Sequence, residues 1–114
     1  MPVSLLQNFR DTMQKYSLLE NVEILPYLSS EARNRFEEKK IDLLFIDGNH
    51  SYESVKEDYL LWSDLIVPGG ALVLHDVGAK HVDGPRRVMD EFVSENPQWK
   101  NIRIVSEMGV AVKC

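Results

Sequence analysis

Ile41-Asp42-Leu43-Leu44-Phe45-Ile46 runs into Asp47-Gly48-Asn49-His50 and then Ser51-Tyr52-Glu53, and this junction sets the reading of the rest. An apolar run of this length, bounded by turn residues, has the pattern of a strand buried on both faces. Past Ser51 the apolar spacing changes. Tyr52, Val55, Tyr59, Trp62 and Ile66 fall on one face of a helix predicted over about 52–65, with Ser51 placed to cap it. A carboxylate and an imidazole therefore stand just beyond the C-terminal end of a strand, where open α/β sheets hold their ligands. The pattern returns at Gly69-Gly70-Ala71-Leu72-Val73-Leu74-His75-Asp76, a second apolar strand ending in His and Asp. Two such strands side by side deliver acid groups to one rim.

Upstream, Leu5, Phe9, Met13 and Tyr16 have helical spacing, with Ser4 as the expected N-cap. Val22–Leu25 reads as a short strand closed by Pro26. Ser30-Glu31 starts a second helix, with Ala32 and Phe36 inward and Glu37-Glu38-Lys39-Lys40 as its solvated end. Downstream, Val67-Pro68-Gly69-Gly70 reads as a turn and Ala71–Leu74 as a strand. Val77–Gly84 is loop-like, with His81 in solvent, and Pro85 suits the first turn of a helix running to about Ser94. Ile102–Val105 and Val110–Val112 are two last strands. Their link at Glu107-Met108-Gly109 is too short for a parallel crossover, so they form an antiparallel hairpin. This alternation specifies an α/β fold in one domain, residues 1–114, with a mostly parallel sheet covered by helices.

A chain of 114 residues with 44% hydrophobic and 27% charged residues has the make-up of one soluble domain. Its net charge of −5 argues against a nucleic-acid surface, which needs a clustered basic face. No apolar run approaches a membrane span, and the N-terminus has no signal-peptide pattern. The one cysteine, Cys114, excludes an internal disulfide and suits a reducing cytoplasm, which is the expected location.

The words in this order resemble the C-terminal part of a class I S-adenosylmethionine-dependent methyltransferase, closest to the O-methyltransferase-like group called methyltransferase family 24. The matching residues are Asp42-Leu43-Leu44-Phe45-Ile46-Asp47-Gly48-Asn49-His50-Ser51-Tyr52-Glu53, then Val67-Pro68-Gly69-Gly70, then Val73-Leu74-His75-Asp76. In that family the fourth strand ends in a segment like IDGDHSYE, a helix and a PGG turn follow, and the fifth strand ends in HD. The terminal hairpin agrees with the family's antiparallel seventh strand. The resemblance implies a Rossmann-like sheet, S-adenosylmethionine as cofactor and a small-molecule acceptor, with Ser30, Asp47 and Tyr52 toward the cofactor.

A complete family member begins with a glycine-rich turn, where only glycine lets the cofactor approach the backbone, and a second strand ending in an acid for the ribose. No GxGxG-like segment occurs here, and Ser29 stands where the adenine-side loop usually has an acid. On this reading the first two strands are lacking and the domain is truncated. In the family's strand order, 3-2-1-4-5-7-6, their loss leaves a gap of about 10 Å between the Val22 and Ile41 strands. Two repairs are expected: the Val22 strand pairs directly with Ile41–Ile46 in a five-stranded sheet, or two chains cover each other's edges as a homodimer.

Each candidate side chain has a sharp and a bland reading. Asp47 serves as base or metal ligand, or else caps the following helix. Asp76 is a second ligand, or else a loop residue taking backbone donors. Together they make an oxygen pair suited to a hard cation such as Mg²⁺. Metal-dependent relatives add a further Asp or Asn after it, where this chain has Val77. His50 and His75 act as general bases or order their loops. Tyr52, Tyr59 and Trp62 read as core. The resemblance makes Asp47, His50 and Asp76 the catalytic candidates of an O-methyltransferase; a non-enzymatic remnant or oligomeric interaction domain is the other reading.

Overall fold

The computed structural model describes residues 3–37 and 40–114, with side chains from Leu5 onward. The Ser4 cap and the Glu38-Lys39 part of the solvated helix end lie outside what it describes. Four helices and four strands follow in the order α1 (Val3–Lys15), α2 (Ser29–Arg35), β1 (Ile41–Ile46), α3 (Tyr52–Trp62), β2 (Ile66–Leu74), α4 (Gly84–Val88), β3 (Trp99–Val105) and β4 (Met108–Lys113). No helix among the described residues is long and apolar enough to cross a membrane.

The strands lie in the order β1-β2-β4-β3. β1 pairs parallel with β2, and β4 runs antiparallel to both β2 and β3. Three strands therefore share a direction and β4 opposes them, the mostly parallel sheet with a terminal hairpin that the element order implies. Side chains alternate across the pleat. One face carries Leu44, Ile46, Leu72, Leu74 and Ala111 against Val55 and Tyr59 of α3 and Val88, Met89 and Val93 beyond it. Leu72 and Leu74 are fully buried there, each contributing roughly 1.5–3 kcal/mol relative to exposure. Tyr59 links this core to the hairpin, because the Trp99 indole N–H donates to its hydroxyl at 3.0 Å.

Three local features differ from expectation. Pro68-Gly69-Gly70 is no simple turn but a bulge inside β2. Ile41 pairs with Ile66 while Leu43 pairs with Ala71, so residues 67–70 loop out opposite Asp42. Gly69 holds φ +86°, and a Cβ on Gly70 would lie 2.9 Å from the Asp42 carbonyl oxygen, so both positions require glycine. The helix after Pro85 changes pitch: α4 passes into a π turn over Met89–Val93, closed by Ser94 N–H donating to the Met89 carbonyl at 2.9 Å.

The largest correction concerns Val22–Leu25. It is not a strand and does not pair with β1; the sheet has four strands rather than five. Its neighbourhood is tied up locally instead, by a 3₁₀ turn at Leu19–Asn21 and a bond from Tyr27 N–H to the Leu25 carbonyl around Pro26. Among the described residues the outer edge of β1 has no partner strand, and Leu43 and Phe45 are 58% and 48% exposed.

Candidate functional site

Parallel pairing is what builds the site. Ile46 stands beside Leu74 in register, so the residues following both strands emerge at one end of the sheet. His75 N–H donates to the Ile46 carbonyl at 3.0 Å and extends the pairing to the rim itself. The β1 chain then turns through Asn49, whose side-chain oxygen accepts from Ser51 N–H at 2.8 Å. Ser51 Oγ accepts from Ser54 N–H at 3.2 Å, capping α3 as expected. With the cap supplied by Ser51, Asp47 is left to the rim.

Asp47, His50, His75 and Asp76 each place a donor atom there, and these atoms all lie within 4.8 Å of one another. His50 Nε2 is 2.6 Å from Asp76 Oδ2. His75 Nδ1 is 2.9 Å from Asp76 Oδ2 and 3.2 Å from Asp47 Oδ1. Asp47 is open to solvent, whereas Asp76 is only 9% exposed. Asp76 also holds φ +61°, a left-handed conformation that non-glycine residues adopt at a cost and that clusters at functional sites. Consecutive strand residues point to opposite faces. The turn at Asp76 breaks that alternation, which is how two neighbours in sequence come to face one rim.

The residues expected at the cofactor lie in different places. Ser30 is exposed and borders a groove shared with Gly48 and Asn49, beside the rim. A second open groove of about 800 Å³ follows the free edge of β1 from Ile41 to Asp47 and Gly48, with Leu25, Tyr27 and Ser29 opposite. Ser29 Oγ accepts from the Trp62 indole N–H at 2.8 Å, so it anchors α2 to α3. Tyr52 turns away toward α4. Its hydroxyl donates to Glu91 and the Arg87 guanidinium lies over its ring at 3.9 Å. The bond to Glu91 is the chief reason its phenol titrates above the ordinary range. His81 is exposed, as expected.

Gly84, which falls in a loop-like stretch of the sequence, supports the site. A Cβ there would fall 2.0 Å from the His50 carbonyl oxygen, so the start of α4 lies directly against the His50–Tyr52 backbone. The signal was its place just ahead of Pro85 at a helix start.

A rim of acids and imidazoles at paired parallel strand ends, on a sheet whose third strand in order is reversed, defines a class I methyltransferase fold. The chain belongs to the methyltransferase-domain family, whose sequence model matches residues 4–77. Its fold is similar to that of the O-methyltransferase NovP (TM-score 0.76, 20% identity, 91% of this chain and 43% of that one). It is also similar to the O-methyltransferase from Bacillus cereus in complex with SAH (TM-score 0.67, 17% identity, 91% of this chain and 56% of that one). An uncharacterized protein, y4gI of Sinorhizobium fredii, is 36% identical over 47 residues, 41% of this chain and 5% of that protein. The chain thus spans about half or less of each of these relatives.

Proposed function

We propose that this chain carries the acceptor side of an S-adenosylmethionine-dependent O-methyltransferase site acting on a small-molecule hydroxyl. The observation behind this reading is the convergence of Asp47, His50 and Asp76 at the C-terminal rim of β1 and β2. Bound S-adenosylmethionine would supply an electrophilic methyl group. The chain's own residues then have two tasks, to place the acceptor oxygen and to take its proton. His50 suits the second. With Nε2 facing Asp76 at 2.6 Å, Nδ1 is the nitrogen left to accept a hydroxyl proton, and Asp76 fixes the ring and balances the charge that results. Asp47, exposed at the mouth, orients the acceptor and forms with Asp76 the oxygen pair for a divalent ion. The transfer is an in-line displacement, so positioning carries most of the rate.

The open groove along β1 supports the cofactor assignment. It is roomy, apolar at Leu25, Tyr27 and Phe45, and polar where it reaches Ser29 and Asp47. Ser30 borders the neighbouring groove, while Tyr52 lines neither groove and bonds Glu91 instead. Calorimetric titration of the full chain with S-adenosylhomocysteine tests the reading. Saturable micromolar binding, weakened at least about tenfold in Asp47→Ala, is the expected result; no heat at millimolar ligand overturns it.

The unpaired edge of β1, with Leu43 and Phe45 exposed, favours a second reading as an interaction module that pairs with another strand, in a homodimer for example. Light scattering over a range of protein concentrations separates the two. A monomer at all concentrations removes the homodimer.

A further inference from the structure

The sheet has two apolar faces, and the helices cover one of them. Residues paired across neighbouring strands share a face. The pairing aligns Leu43, Ala71, Val112 and Lys100 in one row. It aligns Phe45, Val73, Val110 and Arg103 in the next. None of these side chains belongs to the buried core, which lies on the opposite face under α3 and the turns after α4. Val73, Val110 and Val112 are half-buried at the centre of the sheet, and Leu43 and Phe45 are exposed. Strands paired in parallel ordinarily have cover on both faces. Among the described residues α1 does not supply it, since it packs chiefly against the turn that follows it.

We propose that a second copy of this chain closes the bare face, packed sheet on sheet about a two-fold axis parallel to the strands. Charge selects both the occupant and the axis. Each row runs from an apolar residue on β1 to a cation on β3. Rotation about an axis along the strands reverses their order, so Phe45 of one copy meets Arg103 of the other, and Leu43 meets Lys100. A guanidinium then covers an aromatic ring and a lysine stem covers a leucine, each twice by symmetry. The alternative axis, across the strands, sets β3 on β3 and cation on cation. α1 is a poorer cover, because it brings Arg10 and Lys15 against one acid, Asp11. Four strands about 4.8 Å apart and three side-chain rows about 7 Å apart span roughly 400 Å² in plan per copy. With side-chain relief the pair buries on the order of 1,000 Å², the range of a weak, reversible dimer. This contact leaves the free edge of β1 open and does not depend on the transferase reading. Both rims open at the same end of the pair.

Sedimentation equilibrium of the full chain, without cofactor or acceptor, reads the association directly. A monomer–dimer equilibrium with Kd on the order of 10–100 μM is expected. Val110→Lys, two strands in from the free edge of β1, is expected to weaken it at least about tenfold. Phe45→Lys sets a cation against Arg103 of the other copy and is expected to do the same. Adding Arg103→Glu to Phe45→Lys is expected to restore association to within about threefold of the unmodified chain. Within one chain these two positions lie at opposite edges of the sheet, so the rescue reads the contact between copies. A chain that stays monomeric at about 1 mM overturns the proposal and leaves the face to α1 or to another protein. A dimer indifferent to Val110→Lys overturns it in favour of pairing at the β1 edge. A double variant no better than Phe45→Lys alone overturns the two-fold axis and with it the proposal. Circular dichroism establishes that each variant is folded, and the association of the unmodified chain remains decisive where one is not.

Discussion

Residues 41–114 hold nearly all of the buried core, whereas α1 and the turns that follow it leave most of their large apolar side chains exposed. Apart from Ala32, the buried apolar residues all lie at Ile46 or beyond. Leu5, Phe9, Tyr16, Leu18, Tyr27 and Leu28 are exposed among the described residues. The contrast has a physical origin. A periodic apolar face states that a partner is wanted, but only topology provides one. In the later region every element meets another in short order: β2 lies between β1 and β4, and α3 covers both β1 and β2. In the earlier region α1 ends in local turns, and the sheet edge nearest in sequence stays bare.

Substitutions can break or sharpen this contrast. Leu72→Ala removes a fully buried side chain from the centre of the sheet and is expected to cost about 2–5 kcal/mol in urea unfolding. Leu5→Ala on α1 is expected to cost less than about 0.5 kcal/mol. Comparable losses at the two positions would mean that α1 is packed in solution and would erase the distinction. Gly84→Ala falls between them. Its Cβ meets the His50 carbonyl, so a loss of roughly 1–3 kcal/mol is expected, together with a displaced His50 ring signal in NMR. An unshifted His50 resonance would show the rim to be independent of α4.

The smallest effect is electrostatic. Tyr52 donates to Glu91, and this bond chiefly raises its phenol above the ordinary value. The folded state therefore favours the protonated phenol. That preference stabilises the fold below the ordinary tyrosine range near pH 10 and is lost as pH rises through the raised folded value. Spectrophotometric titration should show one tyrosine ionising late, and Glu91→Gln should return it toward the others.

What the sequence made legible was local. The apolar run into Asp47, the run into His75-Asp76 and the short link at Glu107-Met108-Gly109 announce two parallel strand ends and a hairpin, and all three are present. Asp47, His50 and Asp76 could be named because each lies within four residues of the end of a readable strand. The failures are nonlocal. Val22–Leu25 has strand composition, but pairing depends on a neighbour that composition cannot specify. That His75 and Asp76, neighbours in sequence, share one rim was not legible either, because the positive φ at Asp76 leaves no mark on the sequence. Gly84 likewise matters for a contact some thirty residues back along the chain, at the His50 carbonyl.

The bulge at residues 67–70 has a consequence for how this sequence can vary. It lies at the start of β2 and takes up slack, so a residue gained or lost there changes a loop while the pairs from Leu43–Ala71 to Ile46–Leu74 stay matched. A deletion within 71–74 has nowhere to be absorbed. It shifts the frame by one, sends Leu72 and Leu74 to the water side and carries His75 and Asp76 off the rim. Folding and the geometry of the rim would then be lost in a single event.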